Sequence, residues 1–236
     1  MTAGPFTWDV DVQRRFSHAG RRFDLHARFQ TRSRRLVLFG PSGAGKSQTL
    51  RMIAGLTTPD AGHVRLGDQT FVDRTRGRDV PARDRHLGYV FQDYALFPHL
   101  TVAENVAFGL DTGWLNPRRD TRHPEVLRWL QAFELSALAN HRPEQLSGGQ
   151  RQRTALARAL VPQPRALLLD EPFAALDTAL RVRLRQELTE LQQRLTVPMI
   201  LITHDEADVA SLGDEVLRMD DGRMVSAAGA APADRD

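Results

Sequence analysis

One run of the chain has residue types and spacing that suit the binding of a phosphate group. It fits the pattern G-x-x-x-x-G-K-[ST] and consists of Gly40, Pro41, Ser42, Gly43, Ala44, Gly45, Lys46 and Ser47. Glycines let the backbone curl so that successive N–H groups face one anion, at the positive end of a following helix. Lys46 would then reach the β- and γ-phosphates of a nucleotide, and the Ser47 hydroxyl would ligate Mg²⁺. An apolar run before the loop and helical spacing after it favour a phosphate-binding loop over a simple glycine-rich turn.

Two neighbouring acids end a second apolar run. Residues 165–169 are followed by Asp170, Glu171 and Pro172. Because side chains alternate along a strand, the two acids cannot do the same job. We predict that Asp170 faces the magnesium shell and that Glu171 polarises or deprotonates the water attacking the γ-phosphate. Alone, the pattern also fits a strand capped by solvated acids, but beside a phosphate loop the catalytic interpretation is favoured.

A second serine–glycine turn opens a second helical pattern. Residues 146–153 read L-S-G-G-Q-R-Q-R, and the apolar residues Leu156, Ala157 and Leu160 follow. Exposed N–H groups at such a helix start can contact a second phosphate. From these residues alone, an ordinary N-cap at Ser147 is the favoured interpretation.

The order of these motifs carries a family resemblance. The sequence L-S-G-G-Q, placed between a phosphate loop and the run L-L-L-D-E-P, closely resembles the ATP-binding subunits of ABC transporters, over about residues 6–224. The resemblance implies ATP and Mg²⁺ as cofactors and ATP hydrolysis coupled to transport. It also implies a head-to-tail homodimer, in which Ser147 and Gly149 of one copy face the ATP held by Lys46 of the other.

Further residues match the family's motifs one by one. Gln92 resembles the glutamine that contacts Mg²⁺ and the attacking water, and His204 resembles the histidine that senses the γ-phosphate. Asp177 resembles the D-loop aspartate, and Phe16 lies where the family places an aromatic ring against adenine. The resemblance thus implies three catalytic residues, Glu171, His204 and Gln92. The Mg²⁺ ligands that it implies are Ser47, Gln92 and Asp170.

Two positions depart from the family's pattern. Gln48 stands where the family often has a small hydroxyl residue, and Ala174 stands where the D-loop usually has serine. Neither departure removes a phosphate or metal ligand. We therefore expect ATPase activity to survive both.

The elements that must position these residues follow from apolar runs. Short buried strands of a parallel sheet, with helices between them, are predicted at 36–39, 87–91, 166–169 and 199–202. With the resemblance, the expected fold class is α/β: a P-loop NTPase core with a mainly parallel sheet, an N-terminal antiparallel β portion and an inserted helical subdomain at about 93–160. We expect a single ABC ATPase domain over 1–236, with a frayed tail at 225–236.

Composition excludes several function classes. The 236 residues include no cysteine, which rules out disulfides, thiolate zinc sites and cysteine nucleophiles. No apolar run reaches 18 residues, so no membrane span is predicted. Transport would then require separate integral membrane permease subunits, and a periplasmic or extracellular solute-binding protein would act indirectly. We expect a cytoplasmic protein, peripheral on the inner face of the cell membrane.

The excess of basic over acidic residues suggests an alternative class of function. Lys46 is the only lysine among 32 basic residues, and the formal net charge is +3. Such a composition fits a soluble ABC-type ATPase acting on nucleic acid. However, a net charge of +3 produces only a weak electrostatic field, and the arginines are spread along the chain. The chain also lacks the second cassette or long coiled-coil insertion of the relatives that act on ribosomes or DNA. A coding preference for arginine is favoured, and no nucleic-acid partner is expected.

The segment 94–100 also resembles the part of the family that lines a groove for a permease coupling helix. Tyr94, Phe97 and His99 stand close together there, which suits an exposed docking groove, although apolar residues of this kind can also be core.

For the cargo, only resemblance is informative. The phosphate loop, the stretch 80–93 and Phe97-Pro98-His99 look most like ATPases of molybdate and related oxyanion importers. Thiamine, iron and polyamine importers share much of the pattern and remain alternatives.

Overall fold

The computed structural model describes residues 7–18, 21–110, 120–174, 178–194 and 197–225. They form two compact units: unit 1 lies within Met1–Arg85 and Ile200–Asp236, and unit 2 within His86–Met199. The single domain over 1–236 stays a prediction, and most of the predicted tail lies outside the described residues. Within the ranges given above, no helix is both long and apolar enough to cross a membrane.

Unit 1 contains an antiparallel group of strands, as predicted for the N-terminal portion. The group consists of β1 (Trp8–His18), β2 (Arg21–Thr31), β4 (Ala61–Leu66), β5 (Gln69–Asp73) and β6 (Arg78–Asp79), with a short 3-10 helix at Ala82–Asp84. β1 pairs with β2 on one side and β4 on the other. Trp8, Val10 and Val12 are fully buried, while polar residues alternate with them. This period of two is that of a sheet with one face against a core.

A second group of strands in unit 1 carries the phosphate loop. It consists of β3 (Arg35–Phe39), β9 (Met199–Thr203), β10 (Glu215–Asp220) and β11 (Arg223–Val225), with helices α1 (Lys46–Ala54) and α6 (Glu206–Leu212). The strand order in this unit is β6-β5-β4-β1-β2-β11-β10-β3-β9, and β3 runs parallel to β10. Leu36, Val37 and Leu38 are fully buried, which confirms the apolar run as an inner strand.

Unit 2 holds a parallel strand pair and most of the helices. Its elements are β7 (Leu87–Val90), β8 (Ala166–Asp170), α2 (Val102–Ala107), α3 (Pro124–Ala132), α4 (Gly148–Leu160) and α5 (Thr178–Arg194), with 3-10 helices at Phe108–Leu110, Ser136–Leu138 and Pro143–Gln145. β7 and β8 are parallel, with Tyr89 opposite Leu168. The helices α2 to α4 occupy the segment predicted to be helical. Thr101 and Ser147 begin α2 and α4 with capping boxes, which satisfy N–H groups at each helix start.

The Arg85 side chain is fully buried in unit 1 and joins three segments. Its Nη1 donates to the carbonyl oxygens of Met52 (2.9 Å) and Ile53 (2.8 Å), in the last turn of α1. Its Nε donates to the carbonyl of Val80 (2.8 Å), and its Nη2 donates to the Asp79 carboxylate (3.0 Å). Because the last carbonyls of a helix lack partners within it, this guanidinium completes α1 while its own charge is paired.

We expect Arg85→Ala to lower the free energy of unfolding by about 3 kcal/mol, because buried carbonyls lose their donor. Arg83→Ala is the control, since Arg83 is largely exposed and pairs with its neighbour Asp84 at 3.7 Å. Its effect should stay within about 0.5 kcal/mol. Urea unfolding followed by tryptophan fluorescence measures both variants. Equal losses in the two would contradict the capping role of Arg85.

Candidate functional site

The phosphate loop begins where β3 ends, and two of its glycines are required by geometry. A Cβ on Gly40 would lie 2.0 Å from the Met219 carbonyl oxygen. Gly45, with φ of 99°, is the N-cap of α1 and makes no side-chain capping bond. Ala44 is buried, and its carbonyl accepts from the Gly222 N–H at 3.0 Å. A helix that starts without a side-chain cap presents its N–H groups and positive dipole end, which is the arrangement that binds anions.

Lys46 is the first residue of α1, and its side chain turns back into the loop. The residue is only 3% exposed, and its Nζ donates to the carbonyls of Gly40 (2.7 Å) and Pro41 (2.8 Å). Charge-assisted hydrogen bonds of this kind hold a buried ammonium in place. The charge therefore lies inside the loop, whose outer residues Ser42 and Gly43 are exposed. That Lys46 reaches the β- and γ-phosphates of a nucleotide stays a prediction.

Phe16 lies in an aromatic pair that reaches the phosphate loop. It is opposite Phe23 in the β1–β2 register, and the two ring centroids are 6.3 Å apart. The Cζ atom of Phe23 would lie 3.2 Å from a Cβ on Gly45. The Arg14 guanidinium lies 5.3 Å from the Phe16 ring centroid. Unit 1 thus places a half-buried aromatic ring close to the loop, where a base could stack.

His204 follows β9 and is exposed at the start of the loop into α6. The residues on either side of it are held by hydrogen bonds. The Thr203 hydroxyl donates to the buried Asp208 carboxylate at 2.6 Å. Asp205 caps α6 by accepting from the Ala207 N–H at 2.8 Å. The backbone at His204 is therefore fixed between a strand end and a helix start.

The two acids at the end of β8 have different environments, as predicted from the alternation of side chains. Asp170 is the last strand residue and is 4% exposed, and its Oδ2 accepts from the Tyr89 hydroxyl at 2.9 Å. Glu171 is half-buried and has φ of 45°. Left-handed backbone at a non-glycine residue is costly and occurs where the surroundings enforce it, often at functional sites. Asp170 and Glu171 therefore differ both in burial and in backbone conformation.

Gln92 is exposed just beyond β7, but Tyr94 is not part of an exposed groove. Tyr94 is 4% exposed, and its hydroxyl donates to the Pro172 carbonyl at 3.2 Å. Burial raises the pKa of the Tyr94 phenol, while the charge of Arg151 opposes that rise. The expectation that Tyr94 lines a docking surface is therefore wrong. A left-handed backbone at Tyr94 turns the ring inward, which its position after Gln92 did not reveal.

Ser147 is the N-cap of α4, which confirms the interpretation favoured from the sequence. Its Oγ accepts from the Gln150 N–H at 3.3 Å, and the Gln150 side chain accepts from the Ser147 N–H at 2.8 Å. Ser147 is exposed, whereas Gly149 is buried. A Cβ on Gly149 would lie 3.0 Å from Leu180 and 3.3 Å from Leu184, so glycine permits close packing of α4 on α5.

Sequence reasoning missed two supporting side chains in unit 2, Tyr89 and Arg158. Both act through hydrogen bonds to residues far away in sequence, and no local motif marks them. Asp177 lies outside the described residues. In the part of the chain that is described, no group of three or more His, Asp and Glu side chains could hold a metal ion. A magnesium ion bound by one carboxylate, neutral oxygens and substrate phosphates needs no such group.

The fold, the phosphate loop, the paired acids and the serine–glycine turn together define an ATP-binding domain of the ABC type. The chain belongs to the ABC transporter family, whose model matches residues 28–174. The family resemblance carried by the motifs is thereby confirmed.

Three curated relatives illustrate the similarity. The Fe(3+) ions import ATP-binding protein FbpC of Pseudomonas fluorescens (strain Pf0-1) is 49% identical over 81% of this chain and 53% of its own length. The trehalose/maltose import ATP-binding protein MalK of Thermococcus litoralis is 47% identical over 79% of this chain and 50% of its own length. The probable sulfate/thiosulfate import ATP-binding protein CysA of Chlorella vulgaris is 46% identical over 80% of this chain and 76% of its own length. The chain spans about half the length of the first two relatives.

A solved structure supports the fold class. The ATP-binding cassette MJ0796, in a dimeric post-hydrolysis state bound to ADP and Pi, matches with a TM-score of 0.75 and 29% sequence identity. The match covers 93% of this chain and 96% of that chain. The predicted α/β P-loop fold, with parallel and antiparallel strands and inserted helices, is confirmed.

Proposed function

We propose that this chain is the ATP-binding and ATP-hydrolysing subunit of an ABC importer, which energises uptake through separate permease subunits. The observation that carries the proposal is the Lys46 ammonium, held inside an uncapped helix start by two loop carbonyls. The relatives named above are all described as import ATP-binding proteins, which supports the importer class.

Direct contacts with the phosphates and the base are assigned to unit 1 residues. The N–H groups of the loop and the Lys46 ammonium bind the phosphates, because both present positive charge to an anion. The Phe16 ring stacks on adenine. Oxygen donors suit Mg²⁺, and Ser47, Asp170 and Gln92 would supply a hydroxyl, a carboxylate and an amide oxygen. A Mg²⁺ ion held by these residues would supply positive charge to the phosphates.

Hydrolysis is assigned to three side chains with separate tasks. Glu171 accepts the proton of the attacking water, because it directly follows the proposed Mg²⁺ ligand Asp170 and is half-buried rather than fully buried. Gln92 orients that water, and His204 contacts the γ-phosphate. Tyr89 holds one oxygen of Asp170 by its 2.9 Å hydrogen bond and so fixes the orientation of this ligand.

A complete site requires a second copy of the chain. In the proposed head-to-tail homodimer, the N-terminus of α4, with Ser147 and Gly149, contacts nucleotide bound to the other copy. The dimeric state of the cassette MJ0796 supports this assembly. The working protein would lie on the inner face of the cell membrane against its permease, with a solute-binding protein acting from outside and no nucleic acid involved.

For the cargo we propose molybdate or a related tetrahedral oxyanion. The motif resemblance to oxyanion importer ATPases supports this choice, and a sulfate/thiosulfate import protein stands among the relatives. Relatives named for iron, sugars and spermidine/putrescine have similar identities. The cargo therefore needs a test separate from that of the ATPase.

A deletion strain tests the importer and its cargo. At trace molybdate it should lose molybdoenzyme activity and uptake of labelled molybdate, and excess molybdate should restore the enzyme activity. A plasmid copy should restore uptake, and the same copy carrying Lys46→Ala should not. Unchanged molybdate uptake, in a strain without a second importer, would reject this cargo. Loss of iron or polyamine uptake instead would assign the alternative solute.

A further inference from the structure

Two consecutive residues near Gln92 have left-handed backbone. Tyr94 has φ of 64° and Ala95 has φ of 43°. Neither is glycine, so the conformation is strained and must be held by its surroundings. The two residues follow Gln92 by two and three positions, and whatever holds them also limits where Gln92 can lie.

One arginine on α4 holds this strained pair. Arg158 Nη2 donates to the Tyr94 carbonyl and Nη1 donates to the Ala95 carbonyl, each at 2.7 Å. Its guanidinium carbon lies 5.5 Å from the Phe97 ring centroid. Burial lowers the pKa of Arg158, and the nearby charge of Asp93 opposes that shift. A planar fork can reach two adjacent carbonyls in fixed geometry, which a single ammonium cannot do.

The other end of Tyr94 reaches the turn that carries Glu171. The Tyr94 hydroxyl donates to the carbonyl of Pro172, the residue after Glu171. That turn is closed by the Ala174 N–H, which donates to the Glu171 carbonyl at 3.1 Å. Tyr94 is therefore bonded to α4, through Arg158, and to the turn that holds the proposed base.

We propose that Arg158 and Tyr94 form a positioning link that sets Gln92 and Glu171 relative to each other and anchors both to α4. The link rests on the proposed function and adds two residues that no motif assigns. Arg158 lies eleven residues after Ser147, about 16 Å along a rigid helix. A displacement at the nucleotide-facing end of α4 is thereby transmitted to the segment that carries Gln92.

Steady-state kinetics of the full chain tests the link. Arg158→Lys keeps the charge and loses the fork, and Tyr94→Phe keeps the ring and loses the bond to Pro172. In each variant kcat should fall by about tenfold while KM for ATP stays within about twofold, because misplaced catalytic groups slow chemistry more than binding. Arg128→Lys is the matched control, since Arg128 also lies over an aromatic ring, at 5.3 Å from Trp129. The control should keep both constants.

Hydrogen exchange provides a readout that does not need activity. In Arg158→Lys, the Ala174 amide should exchange at least about threefold faster than in the wild type. Arg158 does not bond to the turn that contains Ala174, so this effect would have to pass through Tyr94. Faster exchange at 94–97 with unchanged exchange at Ala174 would overturn the link, as would a kcat within twofold of wild type in both variants. A wild-type chain without ATPase activity would instead reject the proposed function, and exchange at Ala174 would still decide the link.

Discussion

Replacing Lys46 with alanine should lower kcat/KM for ATP hydrolysis by about 10³-fold, the largest effect expected at any binding residue. The change removes the one ammonium inside the loop and leaves the carbonyls of Gly40 and Pro41 without this donor. Binding of a fluorescent ATP analogue and release of phosphate would measure the two parts of the loss. Wild-type affinity for nucleotide in Lys46→Ala would contradict the assignment of the loop.

Lys46→Arg shows whether charge alone suffices. A guanidinium is planar and bulkier than an ammonium, and the loop holds the Lys46 nitrogen between two carbonyls at 2.7 and 2.8 Å. We therefore expect Lys46→Arg to fail nearly as severely as Lys46→Ala. Full activity of the arginine variant would mean that the loop requires only a positive charge.

Replacing Glu171 with glutamine should lower kcat by about 10³-fold while ATP still binds. Glutamine keeps the size of the side chain and cannot accept the proton of the attacking water. Because hydrolysis is blocked, ATP should hold two copies together, and light scattering should give twice the monomer mass only when ATP is present. The wild-type chain without nucleotide should be mainly monomeric.

Glu134→Gln is the control for this charge change, since Glu134 is exposed and pairs with Arg153 at 3.2 Å. It should keep normal turnover and should not form a trapped dimer. Near-normal turnover in Glu171→Gln would remove Glu171 from the role of base. If Glu171→Gln stays monomeric in the presence of ATP, this would argue against the head-to-tail assembly. The role of Glu171 as base would then still be tested by the kinetics.

The sequence alone was sufficient to predict the parts of the candidate site that depend on local chain geometry. The Gly40–Ser47 loop, the strand that ends at Asp170 and the N-cap at Ser147 follow from nearest neighbours. Glycine allows the loop backbone to curl, and the alternation of side chains along a strand separates Asp170 from Glu171. A serine hydroxyl accepts a hydrogen bond from an N–H group two to three residues further on, at the start of the helix. Each of these features is marked by residue types that lie within a few positions of one another in the sequence.

Only the tertiary structure decided which side chains support those motifs. Tyr89 meets Asp170 because β7 and β8 pair in one particular register. Tyr94 is buried rather than exposed because its left-handed backbone turns the ring toward Pro172, and Arg158 holds that conformation from α4, more than 60 residues away. A guanidinium or hydroxyl can bond to any carbonyl or carboxylate within reach. Which partner it bonds to depends on how distant segments pack, and this cannot be read from residue type and spacing along the chain.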